Sequence, residues 1–560
     1  MSLRLAHEPA APDDPLIQRY LHDFERVASF YRYDPRSAES MAERLEFVTA
    51  TYDRDRRRLV ETLTDYNRRL GAPGETLEQI GHLLRPDSVV VVGGQQAGIL
   101  TGPLYTVYKA ITVIQLAGRL QTELGCPVVP VFWVASEDHD FAEIDHLDIP
   151  ADEVRRLHLE PPAGAGERRP IGALPVGPEV HRFIDLLDQT APPSEFKGPI
   201  LGGVRESMAA GGSLADFFGR LMLRLFGHHG LVLVDPRLGG LRAMQSGFFR
   251  TVLGLTGEIN EAVEAAGRAL DRDGYPRQVE KEATHAHLFI DVDGERLPLF
   301  REGPGDDGPR GAAAAGGSTF VARRGRDPIR RYSVAELKAT AGDDPGLFST
   351  DVITRPVAQD HLLPVLSSVD GPGEIAYLAQ VKGVYPLFGL EMPVIFPRVS
   401  VTLVERGVAK ILEKYDLSPL DLAGDPRVRL EDFLRSLDRV GVEAAVGHLR
   451  GEIADRYRRC WETLAAVDRS LPGLGKKNLQ RVLDELGWFE RRAVEARNRA
   501  AEDAARQFAK AALSLFPGGH RQERVFNVYP YLFKYGEGLI GQLMALPLLA
   551  GNGLRLVYIE

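Results

Sequence analysis

Apolar and polar positions follow two different periods along this chain. In residues 1–84, Leu16, Tyr20, Phe24 and Val27 recur three or four apart, which predicts helices, and Gly71-Ala72-Pro73-Gly74 predicts a turn. The helical period then gives way to Ser88-Val89-Val90-Val91-Val92, a continuous β-branched run ending in Gly93-Gly94. Such a run predicts a strand buried on both faces, as in a parallel sheet. Leu104, Val107, Ile111, Ile114 and Gly118 resume helical spacing, with Thr101 or Gly102 as the cap and Pro103 in the first turn. Val128 to Val134 is a second buried run. Strand, glycine-rich loop, helix and strand make the βαβ unit of a doubly wound α/β sheet. Further strands are predicted at Leu231 to Val234, ending at Asp235, and at Pro393 to Phe396.

Elsewhere the pattern predicts less regular structure. Residues 150–200 are Pro-rich and irregular. Residues 284–300 alternate about Asp293-Gly294, which predicts a β-hairpin, and 302–318 are Gly- and Ala-rich with almost no core former, which predicts a mobile loop. Near the end, Val446, Leu449, Ile453, Tyr457, Cys460, Leu464, Val467 and Leu471 form an apolar stripe. Pro472-Gly473-Leu474-Gly475 breaks it, and Leu479 to Leu515 resumes it. Two long helices in an antiparallel hairpin follow, the second roughly 40 residues, or about 60 Å at 1.5 Å per residue. That arm outlasts its partner, so its surplus stripe must rest on the core or on a second copy. Homodimerisation is the simpler expectation. The predicted organisation is 1–85, N-terminal helices packing on the core; 86–240, first part of the core; and 241–345, a connecting insertion. Then come 346–410, second part of the core; 411–516, the helical coiled-coil hairpin; and 517–560, a C-terminal segment returning to the core.

Composition narrows the class. The chain has 560 residues, 44% hydrophobic and 26% charged, an ordinary globular balance. No run approaches the ~18 apolar residues of a spanning helix, and no apolar stretch near the start could serve as a signal peptide. A net charge of −10 argues against general binding to nucleic acid or an anionic membrane. The two cysteines, Cys126 and Cys460, are far apart, so neither a disulfide framework nor a Cys-rich zinc site is expected, and the default location is cytoplasmic. Both look structural, Cys126 before a strand and Cys460 on the apolar stripe.

Three segments could carry chemistry. Gly94-Gln95-Gln96-Ala97-Gly98, running to Thr101-Gly102-Pro103, leaves a strand and enters a helix. Its glycines let the backbone approach a ligand, and helix N-terminal amides attract phosphate. Lys109, about two turns in, faces either the site or solvent. A tight turn that needs glycine would read the same way. Glu137-Asp138-His139-Asp140 follows the second strand, with Glu143, Asp145 and His146 beyond. Crowded carboxylates are expected to raise one another's pKa and that of His139. The bland alternative is a solvated acidic loop. The spacing of His139 and His146 matches no standard zinc pattern, so no metal site is assigned and metal use stays open. Gly371-Pro372-Gly373-Glu374 opens a helix that carries Glu374 and Tyr377 on one face, with Gln380 or Val381. Arg355 precedes a helix holding Gln359, Asp360 and His361, and Arg398 ends a strand; structural ion pairing is the alternative for both arginines. Asn527 to Gly536 is dense in aromatics and could pack back on the core, bringing Lys534 near the site.

Taken in order, these motifs resemble the bacillithiol biosynthesis cysteine-adding enzyme (BshC) family over nearly the full length. They are Gly94-Gln95-Gln96-Ala97-Gly98, Thr101 to Tyr105, Pro130 to Trp133, Glu137 to Phe141, Thr354-Arg355-Pro356, Gly371 to Tyr377, Pro397-Arg398 and Pro530 to Gly536. The resemblance implies a Rossmann-like nucleotide-binding core with inserted connecting peptides and a coiled coil that mediates a dimer. It implies addition of L-cysteine to glucosaminyl-malate in the last step of bacillithiol synthesis. Activation of the cysteine carboxylate by ATP or another nucleotide is then expected. On that reading Gly94, Gln95, Gln96, Gly98, Thr101, Gly102 and Lys109 hold nucleotide or phosphate. Asp138 and His139, flanked by Glu137 and Asp140, orient or deprotonate the amine. Trp133, Tyr105, Arg355, Gly373, Glu374, Tyr377, Arg398 and Lys534 bind substrate. No HIGH tetrapeptide, KMSKS segment or Cys-based zinc site is present, so thiol selectivity must arise another way. The competing expectations are a nucleotidyltransferase on another small acceptor and a nucleotide-binding dimeric scaffold without turnover.

Overall fold

Five valine-rich strands form the central sheet: β1 (Val89–Gln96), β2 (Val128–Ala135), β3 (Val232–Val234), β4 (Val365–Asp370) and β5 (Val394–Pro397). Their order is β5-β4-β1-β2-β3 and every neighbouring pair is parallel, with Val92 opposite Val131 and Val369 opposite Gly93. This is a Rossmann-like core. The computed structural model describes residues 2–9, 14–162, 164–165, 168–302, 319–438, 441–551 and 553–560.

Helix α1 (Leu104–Leu124) crosses from β1 to β2, α2 (Gly239–Gly254) follows β3, α3 (Thr354–Leu362) precedes β4 and α4 (Pro372–Leu378) follows it. One sheet face buries Val90, Val92, Val131 and Trp133 against Leu59, Leu63, Ile80 and Leu83 from two N-terminal helices. Burial on both faces is why these strands read as continuous valine runs rather than alternating ones. From β1 the chain winds outward through β2 to β3, and it later returns on the other side as β4 and β5. A crevice therefore opens at the carboxyl ends of β1 and β4, the switch point where doubly wound sheets take ligands.

The insertion between β3 and β4 is a five-stranded antiparallel sheet. The predicted hairpin is present as His285–Val292 and Glu295–Glu302. Asp293 and Gly294 take positive φ, the geometry of a two-residue turn. The loop read at 302–318 lies outside the described residues apart from Glu302, which ends the second of these strands.

The chain divides into two compact units, residues 1–151, 155–402 and 523–560, and residues 152–154 and 403–522. The second contains a coiled-coil hairpin, α5 (Val442–Leu464) and the 45-residue α6 (Leu471–Leu515). Antiparallel rungs join the two arms: Arg497 to Glu443 at 3.0 Å, Arg450 to Glu490 at 3.2 Å and Tyr457 to Asn478 at 2.7 Å. No helix among the described residues is long and apolar enough to cross a membrane.

Several expectations need correction. Residues 3–8 form a strand, Leu3–Glu8, antiparallel to Leu554–Ile559, because a short half-buried strand is recognised only through its partner. Residues 150–200 contain the strand Val154–His158 and the helices Pro178–Thr190 and Lys197–Ala209; Pro178 merely starts its helix. The hairpin does not break at 472–475. Pro472 sits in the first turn of α6, where its missing N–H costs nothing. Cys460 is exposed, because Tyr457 and Trp461 face α6 and turn it outward. β1 runs on to Gln96, and α1 starts after Pro103 with no side-chain cap.

Candidate active site

The crevice is lined by the ends of three adjacent strands. On the β1–β4 side stands Lys109, 1% exposed, whose ammonium donates to the Gly94 carbonyl (2.7 Å), Gln95 Oε1 (3.2 Å) and Glu374 Oε2 (2.5 Å). The same Glu374 oxygen accepts from the Gly371 N–H at 2.8 Å, as the third residue of a helix does when it folds back on the cap. Burial opposes ionisation of Glu374, but Lys109 and the Gly371 amide hold its carboxyl below the usual range. Asp370, at the end of β4, is pushed up to about 6 by burial and by Glu374. Its Oδ2 is buried without a hydrogen-bond partner. Arg355 donates to the Tyr377 hydroxyl at 2.5 Å, and burial pushes that phenol up to about 12.

On the β1–β2 side, Gln96 donates to Asp138 Oδ2 at 2.8 Å. Arg296, from the insertion hairpin, reaches His139 Nδ1 at 3.2 Å and lies 4.0 Å from Asp138 Oδ1. It is itself held by Ser349 Oγ at 2.9 Å and the Thr350 carbonyl at 2.7 Å. Burial opposes the charge on Asp138, yet Arg296, the Gln96 amide and two backbone N–H groups hold it below the usual carboxylate range. Burial and Arg296 push His139 down. Both directions are opposite to those expected from the run of acids, because burial outweighs the acids at His139 and the Arg296 guanidinium enters beside both groups. An arginine can only donate, so His139 Nδ1 accepts and the ring proton sits on Nε2. In this arrangement the Nδ1 of His139 is engaged by Arg296.

The remaining residues fall in different places. Glu137 is buried against Arg242 and accepts from Thr350 Oγ1 at 3.2 Å. Asp140 accepts from the Ala142 N–H at 3.2 Å and starts a single helical turn. Gly94 packs tightly: a Cβ there would lie 2.7 Å from the Trp133 carbonyl oxygen. Gly98 meets Gly102 just as closely, at 2.9 Å from the Gly102 Cα. Thr101 is fully buried with positive φ, and its hydroxyl lacks a partner. Trp133 belongs to the sheet core and its indole N–H is also unpartnered. Gly373 is exposed in the first turn of α4. Arg398 pairs with Glu523 at 2.9 Å and lies over the Tyr105 ring at 5.8 Å. Asn527 donates to the Leu100 and Gly102 carbonyls, so the C-terminal segment does reach the glycine loop. Lys534 is exposed on the helix Tyr529–Tyr535, its ammonium 5.4 Å from the Tyr535 ring centre.

Sequence reasoning missed Asp370, Arg296 and Arg242. Asp370 carried a usable signal, an acid at the carboxyl end of a buried strand directly before a glycine. Arg296 carried none, since its partners lie more than 50 or more than 150 positions away.

Comparison with known proteins places the chain among close relatives. The family model "Bacillithiol biosynthesis BshC, N-terminal Rossmann-like domain" matches residues 3–399, and "Bacillithiol biosynthesis BshC, C-terminal coiled-coil domain" matches 401–559. A Symbiobacterium thermophilum protein named "Putative cysteine ligase BshC" is 39% identical, with 97% of each chain covered. Proteins of the same name from Desulforamulus reducens and Heliobacterium modesticaldum are 32% and 36% identical, over 97% and 95% of each chain.

Proposed function

The chain belongs to the bacillithiol biosynthesis BshC family, and on that premise we propose that it joins L-cysteine to glucosaminyl-malate, the last step of bacillithiol synthesis, by ATP-dependent activation of the cysteine carboxylate. The observation that carries this reading is the crevice at the switch point, where a buried lysine bound to the glycine loop, a carboxylate poised near neutrality and an arginine come together. Amide formation needs a good leaving group on the carboxyl carbon and a deprotonated amine. The glycine-rich 94–98 loop suits the approach of a nucleotide phosphate, with the Lys109 ammonium adding positive charge from behind it. Asp370, pushed up to about 6, suits the general base that takes a proton from the glucosamine ammonium. Asp138 and His139, locked by Gln96 and Arg296, suit positioning of the incoming amine, with the Asp138 carboxylate accepting from one of its N–H groups. Arg355 and Tyr377 suit a substrate carboxylate such as that of malate.

Exposed apolar side chains on α6, with Trp488 at 53% and Phe489 at 55%, support a homodimer through the coiled coil. A cytoplasmic location follows from the proposed substrates. The test is direct. Purified chain is incubated with L-cysteine, glucosaminyl-malate and ATP, and bacillithiol is followed by mass spectrometry. In parallel, cells lacking the chain are complemented with wild type or with Asp370→Asn. Product from wild type, with glucosaminyl-malate accumulating in the deleted cells, is expected. Unchanged bacillithiol in those cells, with no product in vitro, overturns the reading.

A further inference from the structure

Outside the crevice, the insertion sheet gathers a second set of groups with ligand chemistry. His285 and His287 lie two apart on one strand, and Asp351 follows the short strand Phe348–Thr350 paired beside it. All three side chains are buried, at 6%, 0% and 1% exposure. Asp351 Oδ2 is 2.9 Å from His287 Nδ1 and 3.7 Å from His285 Nδ1. One ligand atom from each residue falls within 4.8 Å of the others. A tetrahedral zinc ion with bonds of about 2.0–2.1 Å sets its ligand atoms roughly 3.3 Å apart, and the two measured separations bracket that value.

The surrounding groups fix the ligands as the outer partners of a metal site do. Asn260 Nδ2 donates to the Thr256 and His285 carbonyls, both at 2.9 Å, which fixes the amide orientation. Its Oδ1 must then accept from His287 Nε2 at 3.0 Å. That bond holds a proton on Nε2 and leaves Nδ1 facing Asp351. Asp351 Oδ1 is separately held by the Ile353 and Thr354 N–H groups at 2.9 Å, leaving Oδ2 for the histidines. Nδ1 facing a carboxylate oxygen at 2.9 Å calls for a proton or a metal cation between them. The hairpin also distorts here. Its register shifts between His285 and Phe289, and His287 takes φ +57, a left-handed conformation costly for any residue but glycine.

We propose that His285, His287 and Asp351 form a binding site for a divalent transition-metal ion, zinc being the cation suited to two imidazoles and one carboxylate. Magnesium and calcium prefer oxygen-only shells and do not fit this donor set. The His287 N–H now donates to His285 Nδ1 at 3.0 Å and would yield that lone pair to the ion. Because Asp351 also holds the first turn of α3, the ion would brace the helix that carries Arg355.

The experiment uses the full chain, stripped with a chelator and dialysed, then loaded with zinc or cobalt(II). Uptake of about one ion per chain, intense visible bands of tetrahedral cobalt and a rise in Tm with zinc are expected. His285→Gln and Asp351→Asn should each lower zinc affinity at least ~10-fold, by analogy with loss of a ligand partner. Should either variant fail to fold, the wild-type cobalt spectrum and zinc-dependent Tm decide the matter alone. Absence of uptake and of cobalt bands in the wild type overturns the proposal and makes the charge between His287 and Asp351 a proton. Equal binding by wild type and folded variants overturns it too, by placing the ion elsewhere.

Discussion

Glu374→Ala isolates the pair on which the crevice rests. The substitution leaves the Lys109 ammonium, 1% exposed, with only the Gly94 carbonyl and the Gln95 amide oxygen as acceptors. Removing one partner of a buried ion pair costs about 3–5 kcal/mol, since the other charge stays desolvated. Glu374 itself is 29% exposed on its crevice side, and water there screens part of the interaction. The expected loss therefore sits at the lower end, about 3 kcal/mol. Lys109→Met removes the other charge, and the double variant leaves neither stranded. Urea unfolding of the four proteins gives the coupling energy, expected at about 2–3 kcal/mol. The sign with pH is fixed: Glu374 is held below its ordinary value, so the stabilisation is complete above the unfolded pKa of about 4.3 and fades as pH falls below it. A coupling below about 0.5 kcal/mol at pH 7 would mean that the two sites act independently, and the electrostatic account of the crevice would fail.

Three further outcomes are expected. If Asp370 is the base, kcat/KM rises through a limb near pH 6; Glu374→Gln moves that limb to lower pH, because Glu374 is one of the two groups raising it, and Asp370→Asn abolishes it. A pH profile that Glu374→Gln leaves unmoved rejects the assignment. Gly94→Ala drives a methyl to 2.7 Å from the Trp133 carbonyl and should lower stability by about 1–3 kcal/mol in thermal melts, whether or not nucleotide is present. In the native protein Cys460 should react promptly with a thiol reagent while Cys126 reacts only on unfolding; two fast thiols would contradict the burial of Cys126.

The core was legible where burial leaves a local mark. The valine runs of β1 and β2 announced a parallel sheet, and Asp293-Gly294 announced its hairpin. Structure set by distant partners was not legible. Leu3–Glu8 is a strand because Leu554–Ile559 lies beside it. In the crevice, the Gly94, Gln96, Asp138 and Glu374 segments stood out, because strand ends and helix starts carry glycine and unpaired acids. The electrostatics did not, since the charge state of His139 depends on its burial and on Arg296, which reads locally as one more polar residue on a strand.

Pairing of Leu3–Glu8 with Leu554–Ile559 sets a condition on synthesis. As the chain leaves the ribosome, the first strand offers open backbone amides and carbonyls while its partner is still unmade. The same delay applies to β1 and β4, neighbours in space with 268 residues between Gln96 and Val365. Pairings at such separation are slow to close, and unpaired edges are sites of misassociation. The crevice between β1 and β4 cannot exist until the second of these pairings forms. The growing chain therefore depends on protection of its first strand, and removing residues 554–560 should leave an edge prone to aggregation even though the Lys109–Glu374 pair lies elsewhere.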